Sequence, residues 1–545
     1  MNRRNHNTAA LAAVLLLSAF SAHSVNAASP PALIPAPQKL VMRDGSFELN
    51  RPVTIVAETD AEREAGTLAE ELHSLLNSDP IAVAKPTEPG AIRLEIDPSL
   101  AAALGREGYR LTVTAGGVQI RAAAEAGLFY GGATLCQLLD TNGDSPSHPA
   151  ATPATPLSIP CLEIEDAPRF AWRGLLLDPA RHFLPVEFVK KFIRTMSLYK
   201  FNSLQLHLTD DQGWRLQIKK YPELTQIGSV RRESPKKGDR TQGDGTPYGP
   251  YFYTQEEIRD LVAFAAKRHV DLLPEIEMPG HFLAALSAYP QFSCRGVPIQ
   301  VRTRWGIEPD ILCAGNDDAI DFVKDILAEV CDLFPGRFVH IGGDEAPRDR
   351  WKECPRCQAR IRSQGLKNEA QLQTWMNQQV EKFLEGRGRR MIGWDEILEG
   401  GLTPRAAVMS WRGMDGGKAA AQAGHDVVMS PTSHCYFDYA QARGPDEPEA
   451  IGGFVPLEAV YSFEPVPPSL PDSQRKHILG AQANLWGEYF WSGSDVEYFA
   501  FPRAIALSEV VWSPADRRDF SEFRSRLQRH ALTLQRLGVR FRPID

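Results

Sequence analysis

The chain has 545 residues, 43% of them hydrophobic and 23% charged, an ordinary balance for a globular protein. That length exceeds a usual single domain, so two domains are expected. A formal net charge of −8, with no Lys/Arg-rich run, disfavours a nucleic-acid partner and fits a neutral or mildly polar substrate better than a polyanion.

Taken in chain order, the first signal is at the N-terminus. Arg3 and Arg4 precede an apolar run from Ala9 to Phe20, and small residues lead to Val25-Asn26-Ala27. Basic, apolar and small segments in that order predict a secretory signal peptide over residues 1–27, and hence export to the periplasm or medium. The apolar run is too short for a bilayer span and no later run is long enough, so no membrane insertion is expected. Residues 28–165 then show short strand-like runs at 53–56, 92–96, 109–114 and 118–121, with Ala115-Gly116-Gly117 as a hairpin turn. A helix is predicted over 124–139, and the Pro/Ser/Thr-rich stretch 141–160 reads as a linker-like loop. This is a small α+β domain without a chemical motif.

From residue 166 to 545 the pattern changes to strand, loop and helix in repetition. Strands are predicted at 172–178, 203–208, 270–275, 337–342, 390–394, 406–411, 426–430 and 478–485, mostly continuous apolar runs as in parallel strands covered on both faces. Between them, Val186, Val189, Phe192, Ile193 and Met196 have helical apolar spacing, as do Ile320, Val323, Ile326, Leu327 and Val330. The predicted fold class is therefore α/β, a (β/α)8 TIM barrel preceded by the α+β domain. A doubly wound sheet would call for a Gly-rich loop after the first strand, where Asp178-Pro179-Ala180-Arg181 stands instead.

All eight cysteines lie beyond the expected cleavage point, in a compartment where disulfides persist. Cys294 and Cys313 bracket a loop and are predicted to pair, a closure contributing roughly 3 kcal/mol on the chain-entropy model. Cys354 and Cys357 form a CxxC that reads as a local disulfide or two free thiols, since a zinc knuckle needs a second pair at similar spacing. Cys136, Cys161, Cys331 and Cys435 sit in apolar contexts and read as core, as do Trp172 and Trp512.

Polar and aromatic residues collect where the eight strands end. They are Asp178 with Arg181 and His182, then His207 with Asp210 and Asp211, then Glu275, Glu277 and His281. Further on come His340 with Asp344 and Glu345, Trp394-Asp395-Glu396, Trp411, Tyr436 with Asp438, and Trp486 with Glu488. In a barrel these ends converge on one mouth, where catalytic groups belong. Carboxylates and Arg bind hydroxyls and Trp faces cover the C–H surface of a pyranose, so a sugar-cleaving pocket is one reading. The other is a metal hydrolase built on His207, His281, His340, Asp210 and Asp344, which would not call for so many aromatics. No metal and no cofactor is expected.

Several runs resemble glycoside hydrolase family 20, the β-N-acetylhexosaminidases. They are Arg173-Gly174 with Asp178 and Arg181-His182-Phe183, His207 to Asp211 with Trp214, Pro274 to His281, His340-Ile341-Gly342-Gly343-Asp344-Glu345, Gly393 to Glu396, and Gly480 with Trp486-Gly487-Glu488. The resemblance covers nearly the whole chain after residue 27. It implies an exo-acting retaining enzyme that removes terminal β-linked N-acetylglucosamine or N-acetylgalactosamine from glycans, with the substrate's acetamido oxygen as nucleophile. By resemblance, Glu345 is the general acid and then base, Asp344 holds the acetamido nitrogen, and Tyr436 the acetamido oxygen. Trp394, Trp411 and Trp486 would enclose the sugar, and Arg181, Asp438 and Glu488 would grip its hydroxyls. Asp211, Glu277, His281 and His340 would orient these groups. A neighbouring carboxylate is expected to keep Glu345 protonated. A disaccharide-releasing relative and a non-catalytic glycan-binding barrel are the alternatives. Arg503 and Glu509 also match the family and read as a buried ion pair.

Overall fold

A computed structural model describes residues 30–49, 52–76, 78–85, 91–141 and 157–544. The expected signal segment lies outside the described residues, as does 142–156 of the predicted linker. From Trp172 onward, eight parallel strands close into a barrel: β1 (Trp172–Leu177), β2 (Ser203–His207), β3 (Asp271–Glu275), β4 (Phe338–His340), β5 (Arg390–Trp394), β6 (Ala407–Ser410), β7 (Val427–Met429) and β8 (Ile478–Leu485). β8 pairs with β1 in parallel, Gly480 opposite Trp172 through Leu485 opposite Leu177, which completes the ring. All eight predicted strands are present, two with the predicted bounds and the others shortened by one to three residues.

The helices between strands follow their apolar spacing. Val186–Leu198 turns Val189, Phe192, Ile193 and Met196 into the core, and Asp317–Leu333 buries Ile320, Val323, Ile326, Leu327 and Val330. The second is capped by Asn316, whose side chain accepts the Asp318 N–H at 3.2 Å. The barrel interior is less apolar than the strand runs suggest. Leu176, Leu273, Phe338, Ile392, Met409 and Val428 form an inner cluster. Threaded beside it is a polar chain: Trp172 Nε1 donates to Gln482 at 3.3 Å, Gln482 to Gln205 at 2.7 Å, and Gln205 to Glu275 at 2.8 Å. Each buried amide is thereby satisfied, and the chain leads to the mouth.

The first domain is a seven-stranded sheet in the order Lys39–Leu49, Leu157–Asp166, Tyr109–Thr114, Gly117–Ala122, Ile92–Ile96, Thr54–Ala57, Ala82–Ala84. Helices Glu62–Leu76 and Glu125–Thr141 pack on it, the latter also touching the barrel helix Val186–Leu198. Three strands were not legible in the sequence, the short edge strand Ala82–Ala84 among them. Lys39–Leu49 is interrupted by a register shift after Met42, and Leu157–Asp166 contains Pro160 and begins inside the stretch predicted to be a linker. The predicted disulfide is corrected as well. All eight cysteines are free thiols, so neither Cys294 with Cys313 nor Cys354 with Cys357 forms a covalent bridge. Cys136, Cys161, Cys331 and Cys435 are buried in the core as expected.

The two parts are joined through buried charge. Asp166 is fully buried and accepts from Lys200 Nζ at 2.9 Å, Tyr109 Oη at 2.8 Å and Trp512 Nε1 at 3.0 Å. Arg173, also buried, pairs with Glu107 at 2.7 Å and stacks over Trp512. Such pairs stabilise little relative to an apolar core, but removing one partner strands the other. Asp166→Ala should therefore cost about 3–5 kcal/mol, because the Lys200 ammonium is left without a counter-charge. Chemical denaturation would measure this, and a loss below about 1 kcal/mol would show that the junction does not rest on the pair.

Candidate active site

Glu275, the last residue of β3, organises the mouth. Its Oε2 receives His207 Nδ1 at 2.7 Å and Gln205 Nε2 at 2.8 Å. Its Oε1 receives Trp394 Nε1 at 2.9 Å and lies 3.0 Å from His340 Nδ1. Four strands thus meet on one carboxylate. On the far side of His207, Nε2 contacts Asp210 at 2.8 Å, and Asp210 pairs with Arg181 at 2.7 Å. Arg181 also holds Asp178 at 3.1 Å and lies over the Trp486 ring. Burial works against a charge on His207, but Glu275 and Asp210 outweigh it and push its pKa up to about 10. Glu275 is held well below the usual glutamate range: its burial is overcome by the two imidazoles.

The run from His340 to Glu345 folds as it does because of its glycines. Gly342 has φ +63°, and a Cβ there would lie 1.6 Å from Glu277 Oε2. Only glycine lets Glu277 lie beneath this turn. Glu345 (φ 45°) and His281 (φ 49°) are both non-glycine residues in the left-handed region. Each such position costs about 1–3 kcal/mol and is commonest where function fixes a side chain. His281 spans the two carboxylate pairs: its Nδ1 lies 3.4 Å from Asp210 and 3.6 Å from Asp211, and its Nε2 3.7 Å from Asp344 and 3.4 Å from Glu345. Asp211 is anchored in turn by the Leu283 N–H at 3.0 Å.

The expectation that Glu345 rests protonated is corrected. The hydrogen bond from His281 lowers its pKa and outweighs the burial that would raise it. The raised carboxyls are its neighbours. Burial lifts Asp344, with Glu275 and Glu345 adding to it against the pull of His281. Burial, then Asp344, lifts Glu396 to about 8. Glu277 is raised well above the usual range by burial and by Asp344 and Glu275. Glu277 is thereby biased towards its neutral form under the Gly342 turn.

Tyr436 and Trp411 form one wall, their rings stacked at 6.0 Å, with Trp411 Nε1 donating to Glu396 at 2.9 Å. Trp486 closes another side, edge-on to His207 at 5.0 Å and 5.7 Å from Trp394. Trp394 itself is only 1% exposed and forms the floor. Asp438 is buried with neither carboxylate oxygen partnered, and Glu488 Oε2 and Asp344 Oδ1 are unpartnered too. Burial and mutual repulsion raise Asp438 well above the usual range. Buried polar atoms without partners are rare in native interiors, and here several gather around Tyr436 and Asp438 at the strand ends. The geometry calls for a ligand rich in hydrogen-bonding groups, with apolar surface for the tryptophans.

The histidines do not converge as metal ligands. Both nitrogens of His207 are engaged by carboxylates, which push its pKa up to about 10, and His281 is pushed well above the ordinary range, its burial overcome by Asp210. Protonated imidazoles offer no lone pair to a metal. A cavity of about 770 Å³ elsewhere, lined by residues such as Leu68, Phe129, Cys136, Arg194 and Arg268, lacks such a collection of catalytic groups.

Sequence reasoning left two residues without a role and misassigned a third. Glu275 was seen only as one strand end among eight. Glu396, seated beside Asp344 and Trp411, was seen only within a motif. Arg503 does not pair with Glu509: its guanidinium donates to the carbonyls of Phe437 at 2.6 Å and of Tyr439 and Val455 at 3.0 and 2.8 Å. It thereby fixes the loop that carries Tyr436 and Asp438. Glu509 pairs with Arg526 at 2.7 Å. Of the loop tryptophans, Trp351 is core, while Trp305 and Trp491 lie against His182 at the rim.

The sequence profile of the glycosyl hydrolase family 20 catalytic domain matches residues 170–515, and that of domain 2 of the same family matches residues 30–167. A beta-hexosaminidase of Porphyromonas gingivalis is 45% identical over 512 residues, covering 93% of this chain and 64% of that relative's length. A beta-N-acetylhexosaminidase of Cellulomonas fimi is 33% identical and covers 94% of this chain and 95% of its own. Among solved structures, the family 20 exo-β-N-acetylglucosaminidase of Vibrio harveyi in complex with N-acetylglucosamine superposes with a TM-score of 0.83. It is 33% identical and covers 94% of this chain and 78% of that one.

The opposite charge states of Glu275 and Glu277 can be tested by substitution. Glu277→Gln, which copies a neutral carboxyl, should shift stability by under about 1 kcal/mol. Glu275→Gln should cost about 3–5 kcal/mol. The contribution of the Glu275–His207 pair is present above the ordinary glutamate value of 4.5 and fades as pH falls, because Glu275 is depressed. On the other side it is complete below the ordinary histidine value of 6.5 and is lost as pH rises through about 10. Denaturation across that range should show wild type losing stability on both limbs and Glu275→Gln losing much less; parallel curves would contradict the pairing.

Proposed function

The chain belongs to glycosyl hydrolase family 20, and from that premise we propose that it is an exported exo-β-N-acetylhexosaminidase acting by substrate assistance. The observation that carries this reading is the unpartnered carboxylate set Asp344, Asp438 and Glu488 gathered beside the stacked Trp411 and Tyr436. One pyranose bearing hydroxyls and an acetamido group supplies the missing donors, and its C–H faces suit Trp411 and Trp486. Export rests on the basic, apolar and small-residue order of residues 1–27. β-Linked N-acetylglucosaminides such as chitooligosaccharides are the substrates proposed.

In this mechanism Tyr436 donates to the acetamido oxygen and aims it at the anomeric carbon, while Asp344 accepts the acetamido N–H. As the acetamido oxygen bonds to C1, the glycosidic C1–O bond breaks and Glu345 gives its proton to the departing oxygen. Asp344 stabilises the positive charge gathering on the cyclic oxazolinium. Water then attacks C1 and yields a proton to Glu345, the C1–O bond of the ring opens, and the β configuration is retained. Holding nucleophile and electrophile in one molecule gives the high effective molarity on which such a step depends. Glu345 begins with a lowered pKa and 37% of its side chain exposed. Sugar binding covers that carboxyl, and its loss of water favours the protonated form.

Two kinetic tests follow. p-Nitrophenyl β-N-acetylglucosaminide should turn over faster than the matching β-glucoside by on the order of 10³ or more, because only the first carries the nucleophile. Similar rates would require a nucleophile from the protein. Glu345→Gln should lose roughly 10²–10⁴ in kcat on a poor leaving group and markedly less on a reactive aryl glycoside. Equal losses on both would remove Glu345 from the acid role.

A further inference from the structure

Four of the eight cysteines, none of them among the residues described at the mouth, come together. Cys294, Cys313, Cys354 and Cys357 each contribute one sulfur to a group in which all Sγ atoms lie within 4.8 Å of one another. Three of the separations are 3.8 Å (Cys294–Cys357), 3.8 Å (Cys313–Cys354) and 3.7 Å (Cys313–Cys357). A disulfide requires about 2.05 Å, so no pair is bonded. Four thiolates at about 2.3 Å from a central Zn²⁺ stand about 3.8 Å apart along each tetrahedral edge. The observed spacing is that edge. It is too short for the wider ring of thiolates around a multi-iron cluster.

The backbone is built to hold the four sulfurs there. Ser293 and Leu312 pair across an antiparallel bridge, and Cys313 N–H donates to Phe292 at 2.9 Å, which sets Cys294 and Cys313 side by side. Cys354 is the N-cap of the helix Pro355–Ser363 and Cys357 lies in its first turn, where the helix dipole favours thiolate. Gly315 presses its backbone against Arg356 and Cys357 so closely that a Cβ would lie 2.3 Å from the Cys357 nitrogen. Arg356 crosses to the Ser293 carbonyl at 3.0 Å, and Trp351 Nε1 to that of Leu312 at 2.9 Å. The CxxC that stood alone in the sequence thus finds its second pair in the preceding loop, as in a split zinc knuckle.

We propose that these four cysteines bind one structural Zn²⁺. All four tetrahedral positions are protein thiolates, which leaves none open for catalysis. The ion fastens the segment after β3, which also carries His281, to the segment that follows the Asp344-Glu345 turn. Its binding replaces the thiol protons, and the bound thiolates resist oxidation to disulfide in an exported protein.

The test is metal analysis of the tag-free full chain by inductively coupled plasma mass spectrometry, alongside native mass spectrometry. About one zinc per chain with the eight thiols reduced is expected, released as an organomercurial titrates the four site thiols. Cys354→Ser and Cys357→Ser should each lose zinc and melt several degrees lower. Should these variants fail to fold, the wild-type masses alone decide. A metal-free chain, whether its four thiols are reduced or joined in disulfides, overturns the proposal. Iron at the same stoichiometry overturns the assignment to zinc.

Discussion

The active-site end of the barrel depends on one buried negative charge. The Glu275 carboxylate closes β3 and is reached by side chains from β2, β4 and β5, through His207 with Gln205, His340 and Trp394. A lone carboxylate buried to this depth would protonate, since desolvation penalises the charged form. It stays ionised because two imidazoles surround it. Those imidazoles then have fixed orientations, and His207 transmits its own to Asp210 and Arg181. The floor of the pocket is thus a single electrostatic chain rooted in the barrel's polar interior. Its opposite end, through Gln205 and Gln482, reaches Trp172 on β1.

Above that floor the rule reverses. Asp344, Asp438 and Glu488 carry unpartnered oxygens, and Glu345 and His281 hold left-handed backbone conformations. A sequence optimised for stability alone would not keep these features together, because each costs free energy in the empty pocket. The satisfied floor tolerates the unsatisfied walls. Arg503 makes a related contribution from outside the pocket: with three loop carbonyls on its guanidinium, the segment of Tyr436 and Asp438 cannot relax to bury its polar groups elsewhere.

How much of this was legible in the sequence follows from what sequence patterns encode. The eight barrel strands were readable because each is buried on both faces and so appears as an apolar run. The edge strand Lys39–Leu49 and its partner Leu157–Asp166 were not: edge position relaxes the demand for apolar alternation in the first, and the second pairs with Tyr109–Thr114 only from Leu162 onward, which admits Pro160. Motifs identified the mouth residues, but not their charges. Two glutamates separated by one residue, Glu275 and Glu277, are depressed and raised respectively. Only the three-dimensional count of neighbouring imidazoles and carboxylates separates them. The cysteines are the same problem at longer range: Cys313 and Cys354 are 41 positions apart, so no local spacing announces that they meet.

The charge pattern around His281 also bears on how a carboxyl that rests ionised can serve as an acid. His281 is a cation shared between Asp210 and Asp211 on one side and Asp344 and Glu345 on the other. Its pull on Glu345 sets the resting state, and a lower dielectric would magnify that pull along with the repulsion from Asp344. A sugar seated over the pocket removes water, leaving Asp344 and Glu345 as adjacent like charges in a lower dielectric, an arrangement that disfavours ionising both. If Asp344 keeps its charge by accepting an amide N–H and facing a developing cation, the proton falls to Glu345. On the proposed mechanism, then, the balance at Glu345 is set by which of the two adjacent carboxyls the sugar's amide keeps charged.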